Sequence, residues 1–241
     1  MSQRFNLLEF SYAHRGLWSP DTHPENSLEA ILTAGARGYG CELDVRPAAC
    51  GTPVVFHDPV LERMTEASGF VSAVAASDLT KLELRGGGAL PTLETVLHQW
   101  PASTPLLIEL KIDGETDAEG FTAIVADLVE AHDGPAAMMS FSRRAVTAIP
   151  SSIMKGALIL PSNLSEDVTV QALVSTSAGF QPDYLACHVS DAREASAFAT
   201  DYGLPVVTWT VANPTTFADL SGLPISQIFE GFEPDLVPAA S

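Results

Sequence analysis

Lysine is nearly missing from this sequence, with three residues in 241, and Asp and Glu outnumber Lys and Arg by 30 to 12, leaving a formal net charge of −18. Such a surface repels the phosphate backbone and anionic lipid, so binding to nucleic acid is not expected. An anionic substrate would need a local patch of positive charge, preferably one that includes a metal ion. Cysteine is equally scarce. Cys41, Cys50 and Cys187 are odd in number, widely spaced and without a zinc-ligand pattern, which excludes a disulfide framework. No apolar run approaches the roughly 18 residues that span a bilayer, so stable membrane insertion is not expected. Residues 1–12 lack the basic, apolar and small-residue regions of a signal peptide, and the expected location is cytoplasmic. No glycine-rich dinucleotide fingerprint, internal repeat, low-complexity tract or linker is present, and one domain over residues 1–241 is expected. Nothing in the sequence speaks to oligomeric state.

What is there is alternation. Apolar residues make up 46% of the chain. Short apolar runs at residues 10–14, 39–45, 105–111, 136–141, 155–160, 183–188, 205–211 and 225–230 read as strands. Amphipathic stretches at 27–37, 92–100, 119–131, 167–177, 192–202 and 214–220 read as helices, with start signals at Ser142, Asp191 and Asn213-Pro214. Eight strands with helices between them predict an α/β fold, a parallel (β/α)8 TIM barrel, which typically needs about 250 residues. The same order fits an open doubly wound sheet, but the missing fingerprint removes the usual reason to choose it. The run 52–57 breaks the alternation. It follows the second strand too closely for a parallel crossover and is expected to return antiparallel as a hairpin. Residues 58–90, ending in Gly86-Gly87-Gly88, read as a small irregular insertion at the barrel mouth.

The chemistry-bearing residues lie on the strands. In Cys41-Glu42-Leu43-Asp44-Val45, alternation turns Glu42 and Asp44 to one face and the three apolar residues to the other. Two carboxylates side by side in a low-dielectric place need a proton or a cation between them; acids solvated at a strand end are the other reading. In residues 106–111, Leu107, Glu109 and Lys111 share a face, with the charges at the C-terminal end where barrels place active sites. Glu109 would serve as a third oxygen ligand and Lys111 as a phosphate contact, or the two would form an internal ion pair. His14 and His57 each close a strand, titrate near neutral pH and have Arg15 and Asp58, respectively, as the next residue. Arg15 offers a planar fork suited to phosphate oxygens. Of the remaining histidines, His188 reads as structural or substrate-lining, and His23, His98 and His132 as loop or helix-surface residues without a role.

These pieces occur in a particular order. Ala13-His14-Arg15-Gly16, Pro24-Glu25-Asn26-Ser27, Glu42-x-Asp44-Val45, Val54-Val55-Phe56-His57-Asp58, Pro91-Thr92-Leu93-Glu94, Ile108-Glu109-Leu110-Lys111, Ser140-Phe141 and Trp209-Thr210-Val211 together resemble the glycerophosphodiester phosphodiesterase family. The resemblance runs from residue 13 to about residue 211, and residues 212–241 match poorly. It implies a (β/α)8 barrel with a small insertion after the second strand. It further implies a divalent metal on Glu42, Asp44 and Glu109, with His14 and His57 as the acid–base pair. Arg15 and Lys111 would bind phosphate. Trp209 would line the substrate mouth or pack in the barrel, and Glu25 would support the site or anchor the first loop.

Ser27, Ala48, Cys50 and Phe229-Glu230-Gly231 depart from the residues common in the family, which bears on substrate preference more than on chemistry. An all-oxygen ligand set favours one hard cation, Mg²⁺ or Ca²⁺. The expected reaction is metal-dependent hydrolysis of a small-molecule glycerophosphodiester to glycerol 3-phosphate and an alcohol, with His57 as base and His14 as acid. The alternatives are a related barrel lyase that stops at the cyclic phosphate and a non-catalytic phosphodiester-binding barrel.

Overall fold

A computed structural model describes residues 4–19, 23–162, 164 and 180–236 of the chain. The strands are β1 (Tyr12–His14), β2 (Gly40–Pro47), β3 (Pro53–Val55), β4 (Leu106–Leu110), β5 (Ala136–Ser140), β6 (Met154–Ile159), β7 (Tyr184–His188), β8 (Val206–Val211) and β9 (Ile225–Phe229). Eight of them, all but β3, pair in parallel, and β9 returns to β1, which closes the sheet into a (β/α)8 barrel. β3 pairs antiparallel with β2, as the short connection requires. The helices are α1 (Leu28–Ala36), the short α2 (Ala76–Leu79), α3 (Leu93–Gln99), α4 (Ala118–Glu130), α5 (Arg143–Ala148), α6 (Ala192–Tyr202) and α7 (Pro214–Leu220). The helix expected over residues 167–177 lies outside the described residues.

Side-chain caps set most helix starts. Ser27, Thr92, Asp117, Ser142 and Asn213 each accept a hydrogen bond from the backbone N–H three residues on, and Pro214 supplies the pre-set first position of α7. Asp191 marks the start of α6 as expected, but its side chain does not cap the helix; it accepts from the backbone N–H and the hydroxyl of Ser162, and so ties the end of β6 to the end of β7.

The strands are buried on both faces, the mark of a parallel sheet covered by helices. Cys41, Leu43, Val45, Leu106, Ile108 and Leu110 face outward and pack against α1, α3 and α4. Leu107, Ala137, Met139, Leu158, Ala186 and Val207 fill the interior. Burying each aliphatic side chain of the larger kind is worth about 1.5–3 kcal/mol. Tyr12 and Tyr184 occupy the space that side chains at Gly40 and Gly156 would take: a Cβ at Gly156 would lie 2.2 Å from the Tyr184 ring, and one at Gly40 would lie 2.5 Å from that of Tyr12. The N-terminal end is thereby filled, and the acidic residues of the interior lie toward the C-terminal ends of β2 and β4.

Residues 58–90 form a lobe with its own small core, in which Leu61, Val71, Leu79, Leu84 and Leu90 pack on Val54 and Phe56 of the hairpin. No helix among the described residues is long and apolar enough to cross a membrane.

Candidate active site

The register of the sheet brings the acids together. Asp44 on β2 lies directly beside Glu109 on β4, and Glu42 lies beside His14 on β1. Oxygens of Glu42, Asp44 and Glu109 all fall within 4.8 Å of one another, and all three residues are buried. Lys111 places Nζ 2.9 Å from Asp44 Oδ1 and 2.7 Å from Glu109 Oε1, so the ion pair that the sequence held open is present inside the acid cluster. Arg15 Nε lies 3.2 Å from Asp44 Oδ2. Asp44 Oδ1 and Glu109 Oε1 nevertheless accept no aligned hydrogen bond.

Three carboxylates against two cations leave a net negative, desolvated cluster, and the carboxyls respond unequally. Burial, with Asp44 and Glu109 close by, pushes Glu42 well above the usual carboxylate range. Burial, only partly offset by Lys111, pushes Glu109 up to about 7. For Asp44 burial acts the same way but is overcome by Lys111 and Arg15, which hold it below its ordinary value. A proton or a cation is therefore needed to balance the cluster. A set of oxygen donors alone suits a hard divalent ion.

His14 ends β1. Its Nδ1 lies 2.5 Å from Glu230 Oε2, just beyond β9, and its Nε2 lies 3.9 Å from Glu42 Oε2. The His14 contact is the main reason that Glu230 is held below its usual range and stays ionised. His57 follows β3. Its Nδ1 lies 2.7 Å from Asp58 Oδ1, and its carbonyl accepts from Arg46 Nε at 2.6 Å. Arg46 also pairs with Asp113. An ionised carboxylate only accepts hydrogen bonds, so in both pairs Nδ1 is the donor and Nε2 is the ring nitrogen left to take or give a proton. Burial lowers the pKa of His57, with Asp44 only partly opposing.

The turn after β1 is unusual. Arg15 has φ 56° and Asn26 has φ 58°, the left-handed region that a bulky residue enters at a cost of about 1–2 kcal/mol. Both are held from several sides. The Arg15 N–H donates to Glu42 Oε2, and its carbonyl accepts from the Asn26 N–H at 2.9 Å. Asn26 Nδ2 donates to Asp44 Oδ2 at 2.8 Å, and Asn26 Oδ1 accepts from the Asp44 N–H at 3.3 Å. Gly16 closes the turn, since a Cβ there would lie 2.6 Å from the Ala30 backbone. Glu25 accepts from Arg15 at 2.8 Å and also from Arg63 of the 58–90 lobe.

The opposite stretch of rim, at the ends of β5, β7 and β8, is aromatic. Trp209 donates Nε1–H to the Ala186 carbonyl and packs edge-on with Phe141 and His188, at centroid distances of 5.7 and 5.3 Å. His188 also accepts from the Ser190 N–H as the cap of a short turn. Sequence reasoning named the acids, both histidines, Arg15, Lys111, Glu25 and Trp209; the structure brings the acids, His14, Arg15 and Lys111 into contact and sets Trp209 on the opposite stretch of rim. Sequence reasoning gave no role to Asn26, Arg46, Asp58, Arg63 or Glu230. Asp58 beside His57 and Asn26 beside Glu25 were the available signals; Arg46, Arg63 and Glu230 carry none that is local.

A closed (β/α)8 barrel that gathers buried acids, two carboxylate-held histidines and two half-buried cations at the C-terminal ends of its strands has the plan of a barrel enzyme. Within that class the chain belongs to the glycerophosphoryl diester phosphodiesterase family, whose model matches residues 14–229. It is similar to a phosphodiesterase of Oleispira antarctica solved in complex with the product sn-glycerol-3-phosphate, at 26% identity and a TM-score of 0.74 over 92% of both chains. The glycerophosphodiester phosphodiesterase of Thermotoga maritima shares the fold, with a TM-score of 0.76 at 20% identity over 95% of this chain and 96% of that one. Among curated proteins, a glycerophosphodiester phosphodiesterase of Caldanaerobacter subterraneus is 35% identical over 94 residues, 36% of this chain and 38% of that protein. The chain spans less than half the length of the curated relatives that it matches.

Proposed function

We propose that this chain hydrolyses glycerophosphodiesters to glycerol 3-phosphate and an alcohol, using one divalent cation, Mg²⁺ or Ca²⁺, on Glu42, Asp44 and Glu109. The observation that carries the reading is the meeting of three buried carboxylates from β2 and β4 with two imidazoles whose Nδ1 atoms are each held by a carboxylate. When bound, the cation would supply Lewis-acid polarisation of the phosphate and balance the acids.

The chain's own residues would do the rest. Arg15 and Lys111, already seated in the cluster, would draw in the phosphate, giving the local positive charge that an acidic protein otherwise lacks. His57, kept neutral by burial, takes the proton of the glycerol 2-hydroxyl, and that oxygen attacks phosphorus. The bond from phosphorus to the alcohol oxygen breaks, and His14 gives its Nε2 proton to the departing alcohol. His14 then takes a proton from water, which opens the cyclic phosphate, and His57 returns a proton to the 2-oxygen. Glu230 and Asp58 keep each ring oriented through both halves. Acid–base help of this kind contributes about 10² to 10⁴ in rate. The alcohol would leave over the Phe141, His188 and Trp209 side of the mouth.

The test is turnover of glycerophosphocholine by the purified protein with Mg²⁺ or Ca²⁺, followed by ³¹P spectroscopy. Glycerol 3-phosphate is the expected product. A cyclic phosphate that accumulates without opening would make the chain a lyase, and no turnover with either ion would leave a binding protein.

A further inference from the structure

We infer that Arg63, on the 58–90 lobe, is a positioning residue that holds the His57 and Arg15 ends of the site in one arrangement. The inference rests on the roles proposed above for those two side chains. One guanidinium spans two carboxylates: Arg63 Nε and Nη2 donate to Asp58 at 2.5 and 3.1 Å, and Nη1 and Nη2 donate to Glu25 at 3.1 and 2.6 Å. Each carboxylate has a second partner in the site. Asp58 accepts from His57 Nδ1 at 2.7 Å, and Glu25 accepts from Arg15 Nη1 at 2.8 Å. The resulting line, His57–Asp58–Arg63–Glu25–Arg15, alternates in charge and joins two segments 42 residues apart in sequence, the β1 turn and the loop after β3, without passing through the acid cluster.

The geometry needs an arginine. Lysine offers one point of charge, whereas a planar fork can meet two carboxylates bidentately at once. The backbone under Arg63 is also fixed. Leu61 is buried in the core of the lobe, the Thr65 N–H and hydroxyl both bond to the Leu61 carbonyl, and the Met64 carbonyl accepts from the Arg85 N–H. A side chain on so firm a base can transmit position. Without it, Glu25 and Asp58 would face each other with no cation between them, and their repulsion would draw Asp58 off the imidazole and Glu25 off Arg15. The lobe thus contributes to the reacting groups themselves and not only to the shape of the mouth.

Arg63→Met keeps the aliphatic stem and removes the fork, and Arg63→Lys keeps the charge and removes the bidentate geometry. Expected are a fall in kcat of about 10²-fold for Arg63→Met, the order that small misplacement of reacting groups costs, and an intermediate fall for Arg63→Lys, with thermal unfolding close to wild type. Asp58→Asn should lower kcat as well, and Arg63→Met should cost much less in the Asp58→Asn background than in the wild type. ¹⁵N-histidine NMR should show His57 as the Nδ1–H tautomer in the wild type and as a mixture in Arg63→Met. Arg63→Met with wild-type turnover, losses that multiply with those of Asp58→Asn, or an unchanged His57 tautomer would each overturn the inference. Wild-type protein without diesterase turnover would sink the proposed reaction instead, and the tautomer measurement would still decide the role of Arg63.

Discussion

His14 Nδ1 and Glu230 Oε2 lie 2.5 Å apart although 216 residues separate them in sequence. The contact exists because β9 closes the barrel against β1, with Ala13 paired to Phe229, so that the residue following each of these two meets the other across the seam. A carboxylate on Nδ1 orients the ring and balances it when Nε2 carries a proton. Glu230→Gln keeps the size but offers an amide in place of the anion. It is expected to lower kcat by about 10²-fold, within the range that acid–base groups contribute, while thermal unfolding stays near that of the wild type. Unchanged turnover would remove Glu230 from the site.

His14→Ala and His57→Ala are each expected to lower turnover by about 10² to 10⁴ with the fold intact. Near-full activity in either purified variant would refute the acid–base assignment. His57 adds a pH signature. A base must be unprotonated, and burial lowers this imidazole below its ordinary value. At saturating Mg²⁺ or Ca²⁺ the acid limb of kcat/KM therefore falls below pH of about 6.5, the unperturbed histidine value. A limb above that value would contradict a desolvated base.

Chelation with EDTA is expected to abolish activity, and Glu42→Gln to weaken Mg²⁺ or Ca²⁺ binding in calorimetry. Glu42 and Glu109 are both raised, Glu109 to about 7, and a protonated carboxyl does not ligate. Affinity should therefore rise as pH increases through about 7 and fall below it, with protons released on binding. Bound cation should also stabilise the fold by RT ln(1 + [L]/Kd), about 2.7 kcal/mol at a hundredfold excess over Kd, and so raise Tm. Affinity that is flat across this pH range would mean that the ion binds elsewhere.

Gly16→Ala tests the β1 turn. The added methyl would press on the Ala30 and Ile31 backbone at 2.6 and 2.7 Å, at φ 92° where side chains are strained. A loss of about 1–3 kcal/mol is expected, seen as a lower Tm together with reduced turnover, because Arg15 and Glu42 share that turn. A variant as stable and active as wild type would show that the turn adapts.

Much of the site is legible because its spacing is local. Glu42 and Asp44, two apart on a strand, must share a face, and so must Leu107, Glu109 and Lys111. Strand and helix periods likewise set the eight alternating units, and β3 had to be antiparallel because the five residues after β2 cannot make a crossover. Asp191 marked the start of α6 correctly, but the partner of its side chain, Ser162, was not legible because it comes from another strand end.

The sequence by itself determined the elements, the face each side chain takes and the set of acids, histidines and cations available for chemistry, since backbone periodicity and side-chain type act within a few residues. Only the tertiary structure decided partners. Glu230 meets His14, Arg63 joins Glu25 to Asp58, and Lys111 lies between Asp44 and Glu109, because ring closure and register determine which strand ends become neighbours, and no local pattern encodes a contact made across the barrel.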